Sequence, residues 1–423
     1  MTIAVLFGGF ALLMVLGVPI GIALGSASVL TIFTLPFLDL KFFALGLVSG
    51  LNSYTLLAVV LFTLAGNLMS HGGISERLLG VAKAFFGNTP GGIGTVTIVA
   101  CLFFAAISGT GSATVAAIGL AMIPAMCAHG YDRAYAGAMV ASAGGLGVMI
   151  PPSVVMIVYA VTAGVSVTSM FIAGILPGIL MALVLIAFNV WQSRRQGFDA
   201  AREDVSWSAK WHSIRRAKLA LLLPVLVLGG IYSGLVTPTE SAAIAAVYGL
   251  LLSVFVYKDL PLSRVPQVIL ESALLVSAVL VIVGASVAFG RIMALEQVPA
   301  TIAEFALGLT DNKILILLMI NLLLLVVGTF LETLAAIVIL TPILLPVVVQ
   351  LGVNPVHFGI VMIVNLAIGF VTPPLGANLF MAAQVGNIRF EALSRAIIPW
   401  VAVMILGLLL ITFIPSIALW LIS

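Results

Sequence analysis

The chain is 423 residues long, 63% hydrophobic and 7% charged, with a mean hydropathy of +1.32 and a formal net charge of +3. No soluble fold has interior enough for that much apolar surface, which excludes a soluble enzyme or nucleic-acid-binding domain and predicts an all-α, polytopic membrane protein. The first basic residue is Lys41, so Met1 to Leu16 lacks the positive start of a signal peptide and is expected to remain as the first helix.

Taking about twenty apolar residues as one crossing, helices are predicted near 3–21, 22–38 and 43–70, followed by an amphipathic segment from Ser75 to Phe86 carrying Arg77 and Lys83. A re-entrant hairpin comes next, roughly 91–128, with its tip at Ser108 to Ser112. A broken crossing at 131–163 and a plain one near 168–192 complete the first half. A polar loop, 193–217, then carries Arg194, Arg195, Arg202, Lys210, Arg215 and Arg216, with Lys218 just beyond; the positive-inside rule makes it cytoplasmic. In the second half, helices near 218–236, 239–257 and 266–290 precede an amphipathic segment at 299–312. A second hairpin runs over 314–350 with its tip at Gly328 to Thr333, then a broken crossing over 355–385 and a last helix at 397–422. Counted this way, both termini are expected on the periplasmic side.

An internal repeat organises these elements. A shift of 222 residues lays Gly147-Val-Met-Ile-Pro-Pro152 on Gly369-Phe-Val-Thr-Pro-Pro374, and it also pairs Pro124 with Pro346, Gly130 with Gly352, Gly137 with Gly359, Gly164 with Gly386 and Pro177 with Pro399. The first copy is flanked by Arg77, Lys83, Arg133, Arg194 and Arg195 where the second has no basic residue. The second has Arg389 and Arg395 where the first has Val167 and Ala173. Positive charge at opposite ends of the two copies is what inverted topology requires. The expected domains are scaffold helices 1–85 and 218–307, transport-domain halves 86–192 and 308–423, and the basic loop 193–217 between the repeats.

The chemistry is expected at the hairpin tips and the breaks. Proline removes an amide donor and clashes with the preceding turn, and glycine permits non-helical dihedrals, so Gly-x-x-x-Pro-Pro splits a crossing into half-helices. The exposed carbonyls of one half-helix suit Na+, and the exposed amides of the next suit a carboxylate. Hydroxyls of Ser108, Thr110, Ser112 and Ser153 in one repeat, and of Thr329, Thr333 and Thr372 in the other, complete an oxygen cage; no cluster of His, Cys or Asp offers metal ligands. Cys101 and Cys127 are expected as packing residues. Thr237-Pro-Thr-Glu240 has capping-box spacing, and Glu240 is expected to cap a helix. Glu332 has the same spacing from Thr329; a cap and a sensor of cation or proton are both open for it. Asn365 and Gln384 are expected to join helices, Asn378 to meet a polar substrate, and His129 and His357 to be exposed at hairpin ends.

At these residues the chain resembles the large membrane subunit of the tripartite ATP-independent periplasmic (TRAP) transporters. The likeness rests on Ser108-Gly-Thr-Gly-Ser-Ala-Thr114, Gly147-Val-Met-Ile-Pro-Pro-Ser153, Thr237-Pro-Thr-Glu-Ser-Ala-Ala243, Gly328-Thr-Phe-Leu-Glu-Thr333 with Pro342 and Pro346, and Val371-Thr-Pro-Pro-Leu-Gly-Ala-Asn378. It implies an elevator-type, Na+-coupled secondary transporter of the bacterial inner membrane. It also implies a small membrane subunit as a partner, expected as a separate chain, and a periplasmic binding protein that captures organic acids such as C4-dicarboxylates or sialic acid. Carried over by position, Ser108, Gly109, Thr110, Ser112, Gly145, Gly147 and Pro151 hold one Na+, and Gly328, Thr329, Thr333, Gly369, Thr372 and Pro373 another. Gly111, Ser153, Glu332, Gly376 and Asn378 then face the substrate. The alternatives are a self-sufficient Na+ or H+ coupled anion symporter, a channel, and an intramembrane enzyme; no paired carboxylates or Ser/His and Cys/His arrangement supports the last.

Overall fold

The computed structural model describes residues 2–88, 91–198, 206–310 and 312–422, and they are helical almost throughout. Among them seven helices are long and apolar enough to cross a membrane, or nine if two bent helix pairs each count as one span. Arg202 lies outside the described residues.

The first hairpin has arms Gly92–Ser108 and Gly111–Ala128, and the second Lys313–Phe330 and Thr333–Gln350. Each returning arm keeps a proline inside it, Pro124 in one and Pro346 in the other, and each ends close to a left-handed glycine, Gly130 or Gly352. The first broken crossing is Arg133–Met149 and Val154–Ala163, bent by 44°. The second is Pro355–Gly369 and Ala377–Gly386, and in both the Pro-Pro peptide is cis. Helix starts follow local chemistry: Asp132, Asn354 and Asn312 each accept backbone amides of the first turn that follows.

The two broken crossings pass each other closely. A Cβ on Gly359 would run into the Tyr159 ring, and one on Gly137 would run into Ile388, so each leading half-helix takes a side chain from the other repeat. The Tyr159 hydroxyl donates to the Pro355 carbonyl at 2.7 Å, tying the end of one crossing to the start of the other. Around them, Leu56–His71 packs on Pro238–Leu251 and Val265–Leu295 on both Ile20–Ile32 and Leu40–Leu51.

Several expectations are corrected. The predicted helix 43–70 is two helices, Leu40–Leu51 and Leu56–His71, bent by 54°, because Asn52-Ser53-Tyr54-Thr55 interrupts the apolar run with groups that favour turns. The described part of the basic stretch 193–217 is mostly helix: Val167–Gln196 continues past Arg194 and Arg195, and Ser206 caps a new helix, Trp207–Tyr232, so Lys210, Arg215, Arg216 and Lys218 lie on a helical surface. The predicted helix 397–422 is a long helix, Phe390–Phe413, that ends before Pro415, followed by one short turn of helix, Ser416–Leu419. His357 is buried, its Nε2 2.9 Å from the Ile411 carbonyl, because the second broken crossing starts against that long helix rather than in solvent. His129 is exposed as expected. Cys101 is buried and Cys127 half-buried, both against the apolar core.

Asn365 does join helices. Its Nδ2 donates to Asn321 Oδ1 at 2.9 Å, and Asn321 Nδ2 donates to Thr412 Oγ1 at 3.0 Å, linking second hairpin, second broken crossing and the helix Phe390–Phe413. Asn321→Leu is expected to lower thermal stability in detergent by about 1 kcal/mol, the scale of an interhelical hydrogen bond in a membrane protein. An unchanged melting temperature would show that this network contributes nothing.

Candidate functional site

Both hairpin tips open into one cavity of about 450 Å³. Ser108, Thr110, Gly111 and Ser112 line it from the first tip, Glu332, Thr333 and Leu334 from the second, and Val148, Val154 and Phe370 from the two breaks. The two halves of the chain therefore meet at a common space, although the tips are more than two hundred residues apart in sequence.

The first tip is tight because Gly109 is left-handed, φ +62°, and Thr110 is extended, which reverses the chain between two helix ends. Its polar groups converge on one carbonyl: Thr114 Oγ1 donates to the Thr110 carbonyl at 2.8 Å, and Ser108 Oγ lies 3.1 Å from Thr114 Oγ1 and 3.3 Å from that carbonyl. Gly147 allows this carbonyl to come in against the first break; any Cβ there would overlap it. Gly109 likewise faces the Pro152 carbonyl, which a Cβ would meet at 3.0 Å. The structure thus brings Ser108, Gly109, Thr110 and Gly147 together. Gly145 sits two residues before Gly147, where a Cβ would lie 3.6 Å from the Ala367 carbonyl of the other crossing. Pro151 faces away, into an apolar groove.

At the second tip Gly328 and Gly369 meet backbone to backbone: a Cβ on Gly369 would lie 2.5 Å from the Gly328 carbonyl carbon. Thr329 Oγ1 donates to the Val326 carbonyl, and Thr372 Oγ1 to the Ile368 carbonyl, both at 2.7 Å. The capping box that Thr329 and Glu332 spell in sequence does not form, since the Thr329 hydroxyl is turned back along its own helix. Glu332 stands instead at the N-cap position of the returning arm, its carboxylate on the side of the Leu334 and Ala335 amides and at the cavity wall. The Thr333 hydroxyl is buried with no protein partner among the described residues. Glu240, by contrast, closes the predicted box with Thr237 in both directions.

Of the residues expected at substrate, Gly111 and Glu332 line the cavity. Ser153 is fully buried beside it and donates to the Val148 carbonyl at 2.8 Å. Gly376 and Pro373 lie at the second break, outside the lining, Gly376 folded over the Phe370 carbonyl. Asn378 lies directly behind Gly111: a Cβ on that glycine would be 2.9 Å from Asn378 Nδ2 and 3.2 Å from the Gly144 carbonyl. This amide is 0% exposed, and neither its Nδ2 nor its Oδ1 has a partner among the described residues. One side chain of the second repeat is thus enclosed by tip and crossing of the first.

The facing wall was missed from sequence. Thr63, Gly66, Asn67 and Ser70, on the helix Leu56–His71, line the cavity opposite the tips. Asn67 Nδ2 donates to Ser272 Oγ of Val265–Leu295 at 2.8 Å, and a Cβ on Gly66 would meet Ser108 Cα at 3.1 Å. Their spacing of three and four residues marks one polar face on an otherwise apolar helix, and that was the available signal. Among the described lining residues Glu332 carries the only charge, and no Lys, Arg or His reaches the cavity.

The family model described as "Tripartite ATP-independent periplasmic transporter, DctM component" matches residues 7–417. The isethionate TRAP transporter permease protein DctMQ of Oleidesulfovibrio alaskensis is 49% identical over 98% of this chain, which spans 65% of that longer protein. The C4-dicarboxylate TRAP transporter large permease protein DctM of Rhodobacter capsulatus is 39% identical, covering 99% of this chain and 98% of its own. The sialic acid TRAP transporter large permease protein SiaM of Vibrio cholerae is 36% identical over 97% of this chain and 96% of its own. In fold alone, the chain is similar to the YdaH transporter of Alcanivorax borkumensis, with a TM-score of 0.62, 16% identity and 88% of each chain covered.

Proposed function

The chain belongs to the DctM family of tripartite ATP-independent periplasmic transporters, and from that premise we propose that it imports an organic acid across the bacterial inner membrane by symport with Na+. It is a multi-pass permease subunit, not an enzyme. The observation that carries the coupling is the charge of the cavity: walls of hydroxyls, backbone and apolar groups, one carboxylate, and no basic residue among the described ones. A carboxylate substrate entering beside Glu332 adds like charge to a cavity with no basic side chain among its described residues, and a co-bound cation offsets that repulsion; Na+ held by neutral oxygens is the cation we assign, and proton uptake by Glu332 is the competing outcome of the test below.

Two cation positions follow from the tips. To the first we assign Ser108, Gly109, Thr110 and Ser112 with Gly145 and Gly147, a nest where carbonyls and hydroxyls crowd around the Thr110 carbonyl; Pro151 contributes only by breaking the crossing, since it faces the apolar groove. In the second, Gly328, Thr329, Thr333, Gly369, Thr372 and Pro373 frame the equivalent nest, with the unpartnered Thr333 hydroxyl supporting a bound ion. Neutral oxygen donors suit an alkali cation better than a transition metal, and no group of three His, Cys, Asp or Glu residues occurs among the described residues. Gly111, Ser153, Glu332, Gly376 and Asn378 are assigned to the substrate side. Filled, these sites neutralise the loaded domain, and residues 86–192 and 308–423 move as one body against 1–85 and 218–307. The two repeats have inverted topology and both termini face the periplasm in this reading.

The solute class is that of the relatives' names: small organic acids of the C4-dicarboxylate, sialic acid or isethionate kind. The partners are a periplasmic binding protein and a small membrane subunit on its own chain; the longer isethionate relative, named DctMQ, makes that last point one for direct test. Proteoliposomes holding this chain and the small subunit are expected to take up labelled solute only with the binding protein outside and an inward Na+ gradient. Uptake by this chain alone would favour a self-sufficient symporter, and uptake driven equally by K+, or by a proton gradient without Na+, would remove the Na+ assignment.

A further inference from the structure

A second cavity lies away from the tips. It is an apolar groove of about 320 Å³ between Trp207–Tyr232 on one side and the first hairpin, the first break and Val167–Gln196 on the other. Leu78, Phe103, Pro151, Ile179, Leu221 and Val225 are among its walls, and it holds almost no polar surface. Val225 remains 63% exposed, so the protein itself does not close this space.

What lies above the groove on the same helix says what fills it. Lys218 is three residues before Leu221 and seven before Val225, and Trp211 seven before Lys218, so all share one helical stripe. Lys218, Arg215 and Arg216 are exposed, and the Arg215 guanidinium lies 5.9 Å from the centre of the exposed Trp211 ring. The ion pairs among the described residues are His71–Glu271 and Arg77–Asp259, so none of these cations has a carboxylate partner there. From Lys218 to Leu228, the deepest groove residue on the stripe, the helix rises about 15 Å, which is half the hydrocarbon thickness of a bilayer. Tryptophan, then cations, then an apolar slot one leaflet deep is the profile of a phospholipid in the basic leaflet.

We propose that this groove is a binding site for one anionic phospholipid, its headgroup phosphate held by Lys218 and Arg215 and one acyl chain lying along Leu221, Val225 and Leu228 against Pro151. The groove is walled by both the static and the moving parts of the proposed elevator, so an acyl chain there touches the first break as well as the scaffold. That consequence for transport rests on the function proposed above; the lipid site itself does not.

The test is lipid retention by the purified full chain, delipidated in detergent and titrated with palmitoyl-oleoyl phosphatidylglycerol or the matching phosphatidylethanolamine, read by native mass spectrometry. One phosphatidylglycerol is expected to remain per chain, bound about fivefold more tightly than phosphatidylethanolamine for each cation engaged. Lys218→Gln is expected to erase much of that preference while keeping a lipid, and Val225→Trp, which fills the slot from an exposed position, to lose the lipid of either headgroup. Equal retention of both lipids by the wild type, or retention unchanged in Val225→Trp, overturns the proposal. So does loss of the bound lipid when the small subunit is added, which would make this face a subunit contact. None of these readouts requires uptake, so a failed transport assay leaves the outcome legible.

Discussion

Gly369→Ala is expected to cut Na+-driven uptake by about tenfold or more while the protein still reaches the membrane, because 1.4 kcal/mol of lost ion binding is already a tenfold change in affinity. The added Cβ would lie 2.5 Å from the Gly328 carbonyl carbon and 2.6 Å from its Cα. These are backbone atoms of a helix end and cannot swing aside as a side-chain tip can. The second hairpin must therefore lift from the second break, and the oxygen positions offered by Thr329, Thr333 and Thr372 separate. The reverse substitution is milder: a Cβ on Gly328 meets Gly369 Cα at 3.2 Å and Leu366 at 3.3 Å, contacts that yield with a shift of a few tenths of an ångström. The order of damage, Gly369→Ala well beyond Gly328→Ala, is part of the prediction. Half-maximal Na+ concentration in proteoliposome uptake measures it. Wild-type Na+ dependence in Gly369→Ala would mean that this hairpin-to-break contact does not shape an ion site.

How much of this was legible in the sequence depended on what kind of physical signal each element carries. Helix interruptions are encoded locally, by residues that cannot continue a helix, so both tips and both Pro-Pro breaks could be read from Ser108 to Ser112, Gly328 to Thr333 and the two Gly-x-x-x-Pro-Pro runs. The Thr237–Glu240 box is also local, and it forms. The same spacing at Thr329 and Glu332 fails because Thr329 still lies within its own helix, where the Val326 carbonyl is nearer than any free amide. What composition could not settle was the partner of a polar residue. His357 looks like a hairpin-end residue until the long helix Phe390–Phe413 is laid against it, and the polar face of Thr63, Asn67 and Ser70 has no evident purpose until the tips face it. The basic stretch after Arg194 reads as a loop because its charge is high, yet Lys, Arg, Ala and Trp are compatible with helix once Ser206 supplies the cap.

Asn378→Leu separates a structural amide from a functional one, because loss of the first lowers ligand-free stability and loss of the second lowers uptake. If the amide only held helices together, its loss would destabilise the chain, as expected for Asn321. Asn378, however, has no hydrogen-bond partner for Nδ2 or Oδ1 among the described residues and is wholly buried, with the glycine backbones at Gly111 and Gly144 close against it. A buried amide that makes no bond costs the fold about 1–3 kcal/mol of desolvation. A leucine, with the same number of side-chain heavy atoms, removes that cost while adding some bulk, so the melting temperature without ligand is expected to stay close to the wild type. Uptake is expected to fall by about tenfold, the effect of about 1.4 kcal/mol lost from binding, since the amide that would complete the substrate side is gone. The rise in melting temperature that Na+ and solute together give the wild type should shrink in the variant. A drop in ligand-free stability with a normal ligand shift would instead place Asn378 among the packing residues. The glycine at position 111 is what makes the test sharp: with no side chain between cavity and amide, a change at Asn378 is felt in the cavity across a single backbone layer.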